Sequence, residues 1–238
     1  LIGGGFGDAA SLASNRDYSL ICVRTGDIVQ SYAFSRNVTN AAPLIEVHVS
    51  VSYILNKLGQ LHMHVQMDTS AVPCTLPRAG IQLNLPLIYE DLRWVGKGPH
   101  ECYPDRNNSA VHALHTANLS VETLHVPYIR PGENGARSDT CWVQFATHSG
   151  NSCAASHGLR VDCDRNFCFS VQRHSTEDLT NATHTNTLKA STSSHLAVNI
   201  DPYLMGVGGD DSWSSCVNTE FELQRGKYEF NISFQTLS

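Results

Sequence analysis

Five carboxylates stand in glycine- and proline-rich runs of this chain: Glu101, Asp105, Glu133, Asp210 and Asp211. General acid/base chemistry would need two of them facing one another across a reacting bond. A carboxylate in a Gly-rich turn has a second use: it accepts backbone N–H donors and meets a nearby cation, here Arg106, Arg130 or Arg137. The second use is the expectation for all five, so no catalytic residue is assigned. Trp213 closes the run Gly208-Gly209-Asp210-Asp211-Ser212, where glycines permit tight turns and two carboxylates can anchor a loop. Such a loop could present an indole whose flat apolar face matches the C–H face of a pyranose while its N–H donates at the edge. Burial in a core is the other reading of the same residue. His62 and His64 share one strand face at a spacing able to hold a metal, but no third ligand and no Cys/His knuckle accompanies them, so no metal site is expected. The eight cysteines form no C-x-x-C pair, and in a chain of 238 residues they are expected to be reduced and mostly buried thiols.

The elements that must position these groups read as strands. Ile45, Val47, Val49, Val51 and Tyr53 alternate with Glu46, His48, Ser50 and Ser52. After a polar turn, Leu61, Met63, Val65 and Met67 resume the period opposite His62, His64 and Gln66. Side chains that alternate in this way line opposite faces of an extended chain, so an antiparallel hairpin with one apolar face is predicted. A second hairpin is expected at the C-terminus, from Phe221 and Leu223 through Arg225-Gly226-Lys227 to Tyr228, Phe230, Ile232 and Phe234, with a shorter strand at Phe167, Phe169 and Val171. Helix signals are sparse, the best being Ser175-Thr-Glu-Asp178 before Leu179, which resembles a capping box. Strands of this density without alternating helices point to an all-β antiparallel sandwich.

Three runs are more specific than composition. Trp94-Val-Gly-Lys-Gly98-Pro99-His-Glu101-Cys-Tyr103-Pro104-Asp105-Arg106 resembles the W-x-G-x-G-P-x-E-x-Y-P-D-R signature in the C-terminal domain of large β-galactosidases of glycoside hydrolase family 2. Pro127-Tyr-Ile-Arg-Pro-Gly-Glu133-Asn134-Gly135 is similar to that family's P-Y-x-x-P-x-E-N-G run. Asn199-Ile-Asp, then Met205-Gly-Val-Gly208-Gly209-Asp210-Asp211-Ser-Trp213-Ser214, is similar to its M-G-x-G-G-D-D-S-W-S. All three stand in the family's order. The resemblance runs from about Ile45 to the C-terminus, giving residues 45–238 as one sandwich domain and residues 1–44 as poorly matched N-terminal strands of the same domain. It implies a galactose-mutarotase-like supersandwich, with its first strands missing from this chain. Trp213 would then form part of a sugar-binding wall. Both catalytic glutamates and the Mg ligands would lie in a (β/α)8 barrel, for which this chain has no pattern, so the chain alone is not expected to be catalytic. Trp94, Gly98, Pro99, Glu101, Tyr103, Pro104, Asp105, Arg106, Glu133, Asn134, Gly135, Gly208, Gly209, Asp210 and Asp211 are expected to scaffold the domain. Pro104-Asp105-Arg106 could supply a strand-end ion pair or an oligomer contact. Ser215 stands where the family commonly has Pro, which leaves the backbone beside Trp213 less constrained.

Composition narrows the partners. With 16 Lys+Arg against 22 Asp+Glu and no basic run, no nucleic-acid footprint is present. No apolar run approaches the about 18 residues of a membrane span. The chain begins at Leu1 without Met or signal-peptide pattern, which reads as a piece of something longer. The expected partners are therefore a β-galactoside, a catalytic barrel domain and further copies of the same enzyme. A cytoplasmic location is expected, although sequons at Asn37, Asn107, Asn118, Asn181 and Asn231 leave a secretory compartment open. Two other functions remain: a stand-alone carbohydrate-binding module, or an aldose-1-epimerase-like enzyme pairing Glu133 or Glu101 with His100 or His125.

Overall fold

A computed structural model describes residues 17–25, 27–40, 42–56, 58–72, 75–119, 124, 133–147, 157–174, 178–179, 182–184, 195–211 and 217–237, with side chains from Val47 onward. Trp213, Ser215, His125, Arg130, the Pro127–Gly132 half of the second run and Ser175–Glu177 lie outside the described residues. The strands are β1 (Asp17–Thr25), β2 (Asp27–Asn40), β3 (Ala42–Leu55), β4 (Leu61–Asp68), β5 (Arg78–Pro86), β6 (Asp91–Gly98), β7 (Val111–Asn118), β8 (Arg137–Ala146), β9 (Gly158–Gln172), β10 (His195–Leu204) and β11 (Lys227–Leu237). They pair in the order β1-β2-β3-β4-β11-β9-β8-β6-β7, and β10 joins β9 to β5. Every pairing is antiparallel.

The β3–β4 hairpin forms with Val51 opposite Val65 and Val49 opposite Met67. Its apolar set is buried, with Val47, Val49, Val51, Met63, Val65 and Met67 all under one tenth exposed. The C-terminal segment departs from expectation. Thr219–Phe221 make one 3-10 turn, Leu223 bridges Leu76, and β11 inserts between β4 and β9. Its inward side chains Phe230 and Ile232 stand opposite Val65 and Met63, a long apolar ladder that the short 221–224 stretch cannot offer.

β9 is where the sheet divides. β8 follows one edge of β9 from Gly158 to Phe169, while on the other edge Gly158–Cys163 pair with β11 and Cys168–Gln172 with β10. Residues 167–172 are buried without alternation, as a strand covered on both faces must be. The expected short strand at Phe167–Val171 is this half of β9. Both arms feed one core, which holds Val65 and Phe230 together with Ile81, Val143, Phe169, Val198 and Ile200. That shared core is the sandwich arrangement.

Candidate functional site

The described parts of the three sequence runs meet at one corner, beyond the ends of β6 and β10 and the start of β8. After β6, Tyr103 and Arg106 exchange two backbone hydrogen bonds, each 3.0 Å, which puts Pro104 and Asp105 at the tip of a tight turn. Asp105 reaches across to the run that follows β10. Its Oδ1 accepts the Val207 N–H at 3.0 Å and its Oδ2 the Gly208 N–H at 2.7 Å. Gly206 makes this approach possible, since a Cβ there would stand 2.5 Å from Asp105 Oδ2. The chain then turns through Gly208 and Gly209 at φ of 63° and 90°, leaving Asp210 and Asp211 exposed. Arg106 is exposed, with its Nη2 3.6 Å from where a Gly209 Cβ would stand.

Glu101 and Arg137 tie the first run to the second. Glu101 Oε2 accepts the Gly135 N–H at 2.7 Å. Gly135 has φ of 78°, and a Cβ on it would meet the Leu124 carbonyl at 2.6 Å, so only glycine fits. Arg137 donates from Nε and Nη2 to the Pro99 carbonyl and from Nη1 to the Gly135 carbonyl. Burial holds its guanidinium below the usual arginine range. Asn134 accepts Gln172 Nε2 at its carbonyl and its Oδ1. Cys102, fully buried, accepts from the N–H and hydroxyl of Ser138. Trp94 is 1% exposed; it donates its indole N–H to the Lys97 carbonyl and stands edge-on to Phe169. Gly98 lies under its ring, where a Cβ would come within 2.9 Å.

Two residues that the sequence reading did not select hold the centre. Arg78, at the start of β5, forms a close ion pair with Glu133 and a 3.0 Å pair with Asp201. The cation meeting Glu133 is therefore Arg78, from a strand far away in sequence, rather than Arg106 or Arg137. Asp201 is 3% exposed, and burial raises its carboxyl above the usual range despite the pull of Arg78. Tyr103 donates its phenol to Glu133 at 3.4 Å; burial, then the charge of Glu101, push its pKa up. Asp201 had a signal in the Asn199-Ile-Asp run, and Arg78 in being a cation that opens an apolar strand. Nothing local in the sequence joins the two.

This geometry gives Glu101, Asp105, Glu133 and Asp201 structural partners. Glu101 is engaged with Gly135, while His100 faces Ser109 at 3.0 Å, so the Glu101–His100 acid/base pairing is not assembled. His62 faces Ser233 and His64 faces Asn231, each at 2.8 Å. Among the described residues, no three His, Cys, Asp or Glu side chains gather as a metal site. The described cysteines Cys102, Cys141, Cys163 and Cys168 are free thiols, with Cys163 pushed up to about 12 chiefly by burial.

The profile of the β-galactosidase small-chain family matches residues 11–234. This chain belongs to that family. A β-galactosidase from Photobacterium profundum is 39% identical over 183 residues, covering 76% of this chain. One from Vibrio cholerae is 38% identical over 176 residues, covering 74%. The small-chain segment spans only 16% and 15% of the length of those two relatives. The solved structure of a GalM/aldose epimerase homologue from C. elegans aligns with a TM-score of 0.43 at 10% identity, covering 93% of this chain and 68% of that one.

Proposed function

We propose that this small-chain domain serves a retaining β-galactosidase, which hydrolyses terminal β-D-galactosides such as lactose. In this reading the domain lends Trp213 to the sugar-binding wall. The catalytic glutamates and the Mg belong to a barrel domain outside these residues, and the domain also offers assembly surface within a homo-oligomer. The observation that carries the reading is the pair of hydrogen bonds that the Val207 and Gly208 N–H groups donate to Asp105, beside the close approach at Gly206. That lock fixes the backbone a few residues before Trp213, and a rigid mount is what an aromatic platform needs to bind without a large ordering cost. The engagement of Glu101, Asp105 and Glu133 with backbone N–H groups and Arg78 favours support over proton transfer. In the complete β-galactosidase, Trp213→Ala is expected to raise KM for a galactoside about tenfold, the equivalent of about 1.4 kcal/mol, with unchanged thermal melting. An unchanged KM would refute the platform role.

A further inference from the structure

Outside the hydrogen-bonded corner but sharing its walls lies a cavity of about 300 Å³, within the lower range for small-molecule sites. Two breaks in strand register open onto it. On β8 the pairing jumps from Arg137↔Phe169 to Thr140↔Phe167, so β8 carries one extra residue there. Asp139 sits in that bulge at φ of 50°, the one non-glycine residue with positive φ among the described residues. Between Thr140↔Phe167 and Trp142↔Asp162 the excess passes to β9, and Asn166 lies in that stretch. Bulges re-aim side chains and concentrate beside ligand sites. Here both bulged residues line the same cavity, together with Asn107 from the first run and Tyr203 from β10.

The chemistry of this lining selects a ligand. Lys97 binds Asn107 Oδ1 at 2.6 Å and Asp139 Oδ2 at 3.5 Å, so the carboxylate is balanced by a cation and the lining favours no net charge. The Asp139 carboxylate accepts from and the Asn166 Nδ2 donates to vicinal hydroxyls, while Asn107, whose Oδ1 accepts from Lys97 and whose Nδ2 donates to the Pro104 carbonyl, braces the rim, Asn166 Oδ1 accepts from the Cys141 thiol, and Pro104, Phe167 and the Tyr203 ring supply apolar wall. Arg165 stacks 4.2 Å over the Tyr203 ring, which fixes that wall in place. From this convergence we infer that the cavity between the β8 and β9 bulges is a binding site for a neutral monosaccharide, with Asp139 and Asn166 as its principal hydrogen-bonding residues.

The probe is D-galactose, titrated into the full chain by calorimetry or ligand-observed NMR. The expected result is saturable one-to-one binding with Kd in the millimolar range. Asp139→Gly keeps the backbone at home with positive φ and removes the carboxylate, so it is expected to melt like the parent and to bind about tenfold more weakly. Asn166→Ala is expected to weaken binding in the same direction. Trp213→Ala is expected to leave this binding in place, which separates the cavity from the proposed platform. Absence of saturation by the parent chain up to about 100 mM galactose would overturn the site. So would equal affinity in Asp139→Gly, or binding lost in Trp213→Ala but kept in the other two variants.

Discussion

The β3–β4–β11 face and the corner where the runs meet are built on opposite principles. On the hairpin face, Val49, Val51, Val65, Met67, Phe230 and Ile232 point inward, and their contribution is area removed from water. The outward side carries polar pairs such as His64 with Asn231 at 2.8 Å and with Glu229 at 3.4 Å, exposed and so of small energetic weight. At the corner the buried groups are Arg78, Asn134, Arg137 and Asp201, each engaged by a named atom on another segment. Hydrophobic area is indifferent to which atoms supply it; a buried ion pair is not. The face therefore tolerates changes of residue that keep volume, whereas the corner fails on changes that keep volume but alter one atom.

The largest effect is expected from Arg78→Met, which keeps an unbranched stem and removes the cation shared by Glu133 and Asp201. Breaking a buried pair on one side leaves an uncompensated charge, a loss of about 3–5 kcal/mol, measured by urea unfolding. The pH dependence gives a second readout. Asp201 already has a raised pKa in the fold, so its native form binds a proton more tightly than its unfolded form does. Protonation therefore stabilises the native state as pH falls toward the unfolded carboxylate value of about 3.9, and that gain is lost as pH rises through the raised value. With Arg78 gone the raising cause acts alone, and the deficit of Arg78→Met is expected to shrink toward low pH. A deficit that stays flat with pH would show that Asp201 is not the group left unpaired.

Asp105→Asn is the sharper test of the corner, because it changes one oxygen to an amide nitrogen at constant shape. Both carboxylate oxygens face N–H donors, so the amide must turn an NH2 toward one of them. The loss of one charge-assisted bond is expected to cost about 1.5–3 kcal/mol. In the complete enzyme KM is expected to rise with it, since the Val207–Gly208 backbone leads toward Trp213. Wild-type stability in this variant would break the comparison outright.

These two regions were also unequally visible in the sequence. The face is written in period two, and Ile45–Tyr53 against Leu61–Met67 is enough to place β3 beside β4. The placement of β11 was not legible, since Phe221 and Leu223 share the apolar period locally and only the longer ladder with β4 decides against them. At the corner, the runs could be recognised but their joining could not. Arg78 lies 123 residues from Asp201, and the bonds from Asp105 span 102 and 103 residues. Polar partners at that range carry no periodicity. The glycines are a partial signal: Gly135 and Gly206 mark places where another chain segment comes too close for a Cβ, yet the sequence does not say which segment.

Met67→Leu is expected to have the smallest effect and measures the tolerance of the face directly. Met67 is 2% exposed and stands opposite Val49 on β3 and Tyr228 on β11. Leucine has nearly the same volume but branches earlier, so neighbouring apolar side chains must shift slightly while no polar atom loses a partner. Volume-conserving swaps of this kind cost less than about 1.5 kcal/mol, below the figure expected for Arg78→Met. Measured by urea unfolding in the same buffer, the two substitutions both alter a buried side chain and differ in whether a specific polar atom was needed. If Met67→Leu costs as much as Arg78→Met, then packing shape governs both regions and the contrast between area and atom dissolves.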